Sequence, residues 1–278
     1  MTKVLITGAA GQLGRELVDV FAGSDVVGLG HDRLDVSDRD AVVGAITSLG
    51  PDLVVHAAAM TNVDACETDP ARAYAVNALG TRHVADGARL AGAHVVHVST
   101  DYVFDGTKDG PYHEWDETRP LSVYGKSKLG AERELDPGST IVRTSWVFGR
   151  HGNNFVKSVL QLAGGKGALR MVDDQRGCPT SAADLAVAIR RLSVGRLPGT
   201  FHVTNQRAVS RYELARDILR YAGHDPERVV AITTAEMARP APRPANSELD
   251  NLALRLSGMP LLSDHHEPLQ QLVKELTS

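Results

Sequence analysis

The 278-residue sequence has only two cysteines, Cys66 and Cys178, which lie far apart and form neither a CxxC pair nor a disulfide framework. A disulfide scaffold is thereby excluded, and two buried free thiols in a reducing compartment are expected. No apolar run approaches the ~20 residues that a bilayer-spanning helix needs, so no membrane partner is expected. An excess of one charge is also missing. Thirty Lys and Arg face 34 Asp and Glu, giving a formal charge of −4 with no long run of either sign, which argues against nucleic acid or an anionic membrane surface as partner. Internal repeats and low-complexity tracts are absent too. With 42% hydrophobic and 23% charged residues, the composition is that of an ordinary globular chain able to bury a full core. Met1 to Gly8 passes almost directly into a short apolar run and a glycine, leaving no room for a signal peptide, so a cytoplasmic protein acting on a small molecule is expected.

What is present is an alternation. Short Val-, Ile- and Leu-rich runs at 3–7, 25–29, 52–57 and 94–99 are separated by helical patterns at 12–21, 38–49 and 71–91. Strands without polar alternation are expected where helices cover both faces of a parallel sheet, so the pattern predicts an α/β fold with a Rossmann-type doubly wound parallel sheet. A further helix over 124–135 and a strand over 140–148 complete that part. Beyond Gly149 the order changes, with glycines at 164–167 and a proline cluster at 239–244. The expected division is a nucleotide-binding Rossmann domain at 1–148 and a smaller, mainly substrate-binding part at 149–278, some of whose segments return to the first domain.

Ligands of open α/β sheets bind beyond the carboxyl ends of the strands, so the segments after each strand are the candidate site. The first is Gly8-Ala9-Ala10-Gly11-Gln12-Leu13-Gly14, a G-x-x-G-x-x-G turn opening a helix. Its glycines permit close backbone approach, and the helix N-terminus offers N–H groups to a pyrophosphate. No G-x-x-x-x-G-K-[ST] P-loop occurs. After the second strand come Gly30, His31, Asp32 and Arg33. A glycine in place of a ribose-binding acid, with two basic residues beside it, leaves room for a 2′-phosphate, so the cofactor is NADPH or NADH. Asp35-Val36 lies where an adenine could be contacted, and Ala57 to Met60 ends the third strand with small residues.

The fourth strand leads into Ser99-Thr100-Asp101-Tyr102, and Tyr124 and Lys128 follow four positions apart at a helix start. On a helix that spacing places both on one face, where an ammonium near the phenol would lower its pKa from ~10 and prepare it for proton transfer. Thr100 can hydrogen-bond the same substrate oxygen. Trp146, near the end of the fifth strand, offers a flat apolar surface with one N–H donor, suited to a deoxysugar face.

The motifs GAAGQLG at 8–14, HAAAMTNVDACE at 56–67, VNALGT at 76–81, STDYVFDG at 99–106, YGKSKLGAE at 124–132, RTSWVFG at 143–149, GNNFV at 152–156, DDQRGCPT at 173–180 and RPANSELD at 243–250 span nearly the whole chain. With them the sequence resembles the extended short-chain dehydrogenase/reductases and, among these, the dTDP-4-dehydrorhamnose reductase family. The resemblance implies reduction of a C4 keto group on a dTDP-sugar, with Tyr124 as catalytic acid, Lys128 as its partner and cofactor ligand, and Thr100 as stabiliser of the reacting oxygen. It further implies cofactor contacts from Gly8, Gly11-Gln12-Leu13, Asp35-Val36 and Ala58-Ala59-Met60, and substrate contacts from Thr100, Asp101 and Trp146.

Rival readings are a related nucleotide-sugar epimerase retaining tightly bound NAD, a reductase of another 4-keto sugar, or a silent nucleotide-binding regulator. Intact Thr100, Tyr124 and Lys128 count against the last. One departure from the family bears on assembly. Some members are thought to dimerise through a metal held by acidic residues, yet Pro179-Thr180 is followed here by Ser181-Ala182-Ala183, and Glu16 alone would bind poorly. No metal and a monomer are therefore expected. The run His265-His266-Glu267 is read as a polar loop, because consecutive side chains usually diverge.

Overall fold

The computed structural model describes residues 1–278. Six strands form one parallel sheet: β1 (Lys3–Thr7), β2 (Asp25–Leu29), β3 (Leu53–His56), β4 (His94–Thr100), β5 (Thr140–Thr144) and a last edge strand (Gly199–His202). Their spatial order, starting from β2, is β2-β1-β3-β4-β5 and then the edge strand. The chain order therefore reverses between β1 and β3, and at such a switch point the connections leave in opposite directions and open a crevice at the strands' carboxyl ends. Both sheet faces are covered. On one, Val4, Ile6 and Val55 pack with Leu17 and Phe21 and with Leu185, Ile189 and Leu192; on the other, Leu5, Val54 and Val95 pack with Val42, Ile46 and Val84. Continuous apolar runs make strands here because each side chain, up or down, meets a helix.

The helices are α1 (Gln12–Val20), α2 (Arg39–Leu49), α3 (Val63–Thr68), α4 (Pro70–Tyr74), α5 (Gly80–Ala91) and α6 (Val123–Arg133). Local signals set their ends. The Asp38 side chain accepts from Ala41 N at the start of α2, which stops at left-handed Gly50, and Ser122 caps α6 through Gly125 N. The pattern read as one helix over 71–91 is broken into α4 and α5 by a five-residue π turn, Ala75–Leu79. Helix α3 was not expected. Its Asn62 cap, and Asp69-Pro70 restarting the chain as α4, explain why 63–74 forms two short pieces.

The strand expected over 140–148 is also two strands. Trp146 sits at φ 48° in the left-handed region and turns the chain off the sheet, so β6 (Val147–Phe148) pairs instead with β9 (Thr180–Ser181). The Ser145 hydroxyl fixes the bend by donating to Cys178 O at 2.6 Å. The remaining elements are β7 (Leu169–Val172), β8 (Arg176–Gly177), β10 (the Gly199–His202 edge strand), β11 (Val209–Ser210), β12 (Val229–Ile232), α7 (Phe155–Ala163), α8 (Ala182–Gly195), α9 (Arg211–Tyr221), α10 (Thr234–Met237), α11 (Leu252–Leu256) and α12 (His266–Thr277). A second core of Val156, Val159, Leu214, Ile218, Leu269 and Val273 joins α7, α9 and α12. Helix α8 and β10, although late in sequence, belong to the main sheet and its core. Both cysteines are buried and free. No helix is long and apolar enough to cross a membrane.

Candidate active site

At the carboxyl ends of β1, β3, β4 and β5 lies a cleft of about 750 Å³. Gly8, Gly11, Gln12, Leu13, Asp35, Val36, Ala58, Ala59, Met60, Thr100, Asp101, Tyr124, Lys128 and Trp146 all line it, whereas of the four residues picked after the second strand only His31 does, and Gly30, Asp32 and Arg33 do not.

The floor is built from close backbone approach. Gly8 has φ +69°, and a Cβ there would fall 2.7 Å from Ala58 N, so only glycine lets the turn after β1 touch the turn after β3. A Cβ on Gly14 would fall 2.1 Å from Gly8 O, which is why α1 can start directly beneath the turn. Gly11 caps α1 without a side-chain hydrogen bond, leaving the first N–H groups of the helix free to receive an anion. The residues therefore fit a dinucleotide pyrophosphate. Gln12 is held from both ends, donating to Val147 O at 3.1 Å and accepting from Asn154 Nδ2 at 2.7 Å. Asn77, in the π turn, accepts from Met60 N at 2.8 Å and donates to Ser127 Oγ at 2.9 Å, tying the loop after β3 to α6.

At the far end of the cleft, Gly30 does not face the opening, and a Cβ there would meet Asp32 Oδ1 at 2.5 Å. His31 and Arg72 line the cleft instead, both close enough to help hold the Asp35 carboxyl below its ordinary range, after the Ser37 hydrogen bonds that dominate. Arg72 escaped the sequence reading because it arrives from α4, a helix that reading did not separate.

Around Tyr124 and Lys128 the geometry corrects one expectation. Lys128 is wholly buried, and its Nζ turns toward β4, donating to Val98 O at 2.7 Å and to His97 Nε2 at 3.0 Å. Burial lowers its pKa to about 7, while the charge of Glu132 opposes the fall. The Tyr124 phenol is not lowered. Burial pushes it well above its ordinary value, and the Thr100 hydroxyl only partly offsets this. The i, i+4 spacing does place both residues on one face, but hydrogen-bond acceptors on β4 decide where the ammonium points. Thr100 Oγ donates to Asp101 Oδ1 at 2.9 Å, and burial raises the Asp101 carboxyl to about 6.

The cleft wall opposite β4 holds Trp146, which is only part-buried. Its ring is not a free platform. The Arg211 guanidinium lies 3.4 Å from the ring centroid and 4.9 Å from that of Phe155, and a Cβ on Gly177 would fall 2.6 Å from Cε2. Burial lowers Arg211 to about 10 against the opposing charges of Tyr102 and Asp101. This part-buried cation near Asp101 was missed in the sequence. The Ser210/Glu213 capping box could have placed it in the first turn of α9, though nothing local shows what it faces. Glu16, considered above as a metal ligand, is buried and paired with Arg150 at 3.1 Å.

Known proteins resemble this chain over nearly its whole length. A probable dTDP-4,6-dihydroxy-2-methyloxan-3-one 4-ketoreductase of Streptomyces antibioticus is 44% identical over 276 residues, covering 96% of this chain and 93% of the relative. The dTDP-4-dehydrorhamnose reductase of Aggregatibacter actinomycetemcomitans is 42% identical over 267 residues, covering 90% and 91%. A crystal structure of dTDP-4-dehydrorhamnose reductase from Bacillus anthracis in complex with NADP superposes with a TM-score of 0.95 at 37% identity, covering 99% of this chain and 100% of that one. The model of the RmlD substrate binding domain family matches residues 1–278, and the chain belongs to that family.

Proposed function

We propose that this chain reduces the C4 keto group of dTDP-4-dehydro-β-L-rhamnose to dTDP-L-rhamnose with NADPH or NADH. The observation that carries the proposal is the single cleft in which Thr100, Tyr124 and Lys128 stand beside the glycine turn at a topological switch point. When bound, a dihydronicotinamide supplies the hydride. The chain's own residues manage the oxygen. Tyr124, kept protonated across neutral pH by burial, donates its phenolic proton as alkoxide character develops on the C4 oxygen. Thr100, by turning its hydroxyl from Asp101 to that oxygen, adds a second donor, and Lys128 would hold cofactor ribose hydroxyls by turning its ammonium from Val98 O. Gly8, Gly11, Gln12 and Leu13 would hold the pyrophosphate, Asp35 and Val36 the adenosine, and Ala58, Ala59 and Met60 would offer small side chains and backbone to the rest of the cofactor. Asp101 and Trp146 meet the sugar nucleotide. The proposal divides the chain at 148/149, with α8 and β10 returning from the second part to the first, and takes the protein to be a cytoplasmic monomer.

A second reading rests on the Streptomyces relative, a probable 4-ketoreductase of a different dTDP-sugar. Following NADPH and NADH oxidation with a panel of 4-keto-6-deoxy nucleotide sugars, with product stereochemistry, separates the two. No oxidation with any member of the panel would sink both.

Arg72 gives the adenosine end a cation, with the His31 imidazole beside it in the lining and no acid at position 30. Arg72→Ala should lower the NADPH to NADH ratio of kcat/KM by roughly tenfold or more, the scale of a charge-assisted hydrogen bond of about 1.5–3 kcal/mol. An unchanged ratio would show that Arg72 does not meet the 2′-phosphate.

Trp146→Ala should lower kcat/KM for the sugar nucleotide strongly with little change in cofactor affinity, since it removes both the indole and the surface against which Arg211 is stacked. Were the residue only a core filler, melting temperature would drop by the equivalent of about 3–5 kcal/mol while the folded fraction kept its kinetics.

A further inference from the structure

We propose that Asp217, His265 and His266 form a binding site for a divalent transition-metal ion of the zinc class, which fastens the last helix to α9. None of the three lines the cleft, and the site is independent of the reaction proposed above. The sequence reading of 265–267 as a loop with diverging side chains is corrected by the structure: His266 begins α12, and the two imidazoles stack with centroids 4.3 Å apart. One ligand atom from each histidine and one from the Asp217 carboxylate all lie within 4.8 Å of one another.

The hydrogen bonds on the back of each ring decide what its front can do. His265 is fully buried, and its Nδ1 faces two carbonyl oxygens, Gln206 O at 3.2 Å and Arg207 O at 3.1 Å. Carbonyls only accept, so Nδ1 carries the hydrogen and Nε2 of the neutral ring is a lone pair. That Nε2 is buried and has no partner. A buried acceptor left empty is costly unless something fills it. His266 is arranged in the same way. Its Nδ1 lies 2.6 Å from Asp264 Oδ1, which also accepts from His266 N at 3.0 Å, and its Nε2 lies 3.4 Å from Asp217 Oδ2. Asp217 is largely buried and is steadied by Arg220 on its other oxygen. A carbonyl or carboxylate behind each imidazole leaves Nε2 free on both rings, which is the support that metal-ligating histidines need.

Two imidazoles and one carboxylate suit zinc and its neighbours and do not suit Mg²⁺ or Ca²⁺, which take oxygen ligands. Zn–N and Zn–O distances of about 2.0–2.2 Å put tetrahedral ligands about 3.3–3.5 Å apart, so the widest pair must close by up to about 1.4 Å. The Asp217 carboxylate and the part-exposed His266 ring, in the first turn of α12, are the ligands free to move toward the buried His265. Three protein ligands leave a position for water. Because Asp217 is on α9 and the histidines open α12, the ion would bridge two helices of the second core. The competing account is metal-free: a His266 imidazolium bridging Asp264 and Asp217.

Tag-free protein, stripped with chelator and dialysed, should bind close to one Zn²⁺ per chain in an equilibrium titration and melt at a higher temperature with Zn²⁺ added, since a ligand that binds the folded state stabilises it. Co²⁺ should give a visible d–d spectrum of a low-coordinate site. His266→Ala and Asp217→Asn, neither fully buried, should remain folded and weaken Zn²⁺ binding by more than about tenfold, with loss of the Co²⁺ spectrum. Equal Zn²⁺ affinity in parent and both variants, or a melting rise with Mg²⁺ as large as that with Zn²⁺, would overturn the site in favour of the imidazolium bridge.

Discussion

Tyr124→Phe should cut turnover of the 4-keto sugar nucleotide by roughly 10²–10⁴ while leaving nucleotide affinity nearly unchanged. The variant removes one oxygen. The ring stays in place because its edge-on packing against Tyr102, at 5.7 Å between centroids, does not involve the hydroxyl. What is lost is the only proton donor that the cleft sets beside Thr100 with a pKa pushed above the ordinary phenol value. That shift does not disable the acid in the reductive direction. A phenol held protonated at every physiological pH is ready to give its proton to an alkoxide, which is a far stronger base. The same shift predicts no loss of activity between pH 6 and pH 9 attributable to Tyr124 itself. Turnover within a few-fold of the parent, measured by NADPH oxidation under saturating sugar nucleotide, would remove Tyr124 from the role of acid.

Much of this was legible in the sequence, for a physical reason that also marks where legibility stops. Strands β1, β3 and β4 are buried on both faces, so they appear as unbroken apolar runs, and ligand groups follow their carboxyl ends; that rule led to the segments holding Gly8, Ala58 and Thr100, and the glycine spacing and the family resemblance supplied their roles. Residues that reach the cleft from elsewhere left no such trace. Arg72 sits in an ordinary helical stretch and only the tertiary fold turns it to the cleft, as only the fold brings Arg211 onto the Trp146 ring behind the cleft wall. Trp146 broke a strand that looked continuous, because a left-handed conformation at a bulky residue has no local sequence signal and is imposed by the contacts on either side of it. Lys128 is intermediate. Spacing gave its face of α6, but the direction of its ammonium was settled by Val98 O and His97 on a strand some 30 residues earlier. The paired histidines at 265 and 266 show the same limit, since their convergence on Asp217 depends on how α12 packs against α9.

Glu132→Gln should both destabilise the fold and move the pH dependence of catalysis, and the second effect separates a positioning role from a purely structural one. Glu132 lies one turn beyond Lys128 on α6 and is almost fully buried. Its carboxylate accepts from Arg143 Nε at 2.9 Å and Nη2 at 2.7 Å, and from Ser99 Oγ at 2.5 Å, joining α6 to β5 and β4. The Arg143 and Glu132 side chains are only 7% and 6% exposed, so removing one charge leaves the other without a counter-ion in a region water cannot reach. Breaking a buried pair in this way costs about 3–5 kcal/mol, which a melting curve would show as a large drop. The pH effect follows from Lys128. Burial favours its neutral form and brings it to about 7, and the negative charge of Glu132 is what opposes a deeper fall. In the unfolded chain the amine keeps its proton up to its ordinary value of 10.5, so this group's contribution to stability rises with pH from about 7 to 10.5. With Gln at 132 that window opens at lower pH. If catalysis needs the ammonium, the alkaline limb of kcat/KM, which reports groups of the free enzyme, should move to lower pH in the variant. A variant that melts earlier but keeps the parent's alkaline limb would show that Glu132 braces the sheet and does not tune Lys128.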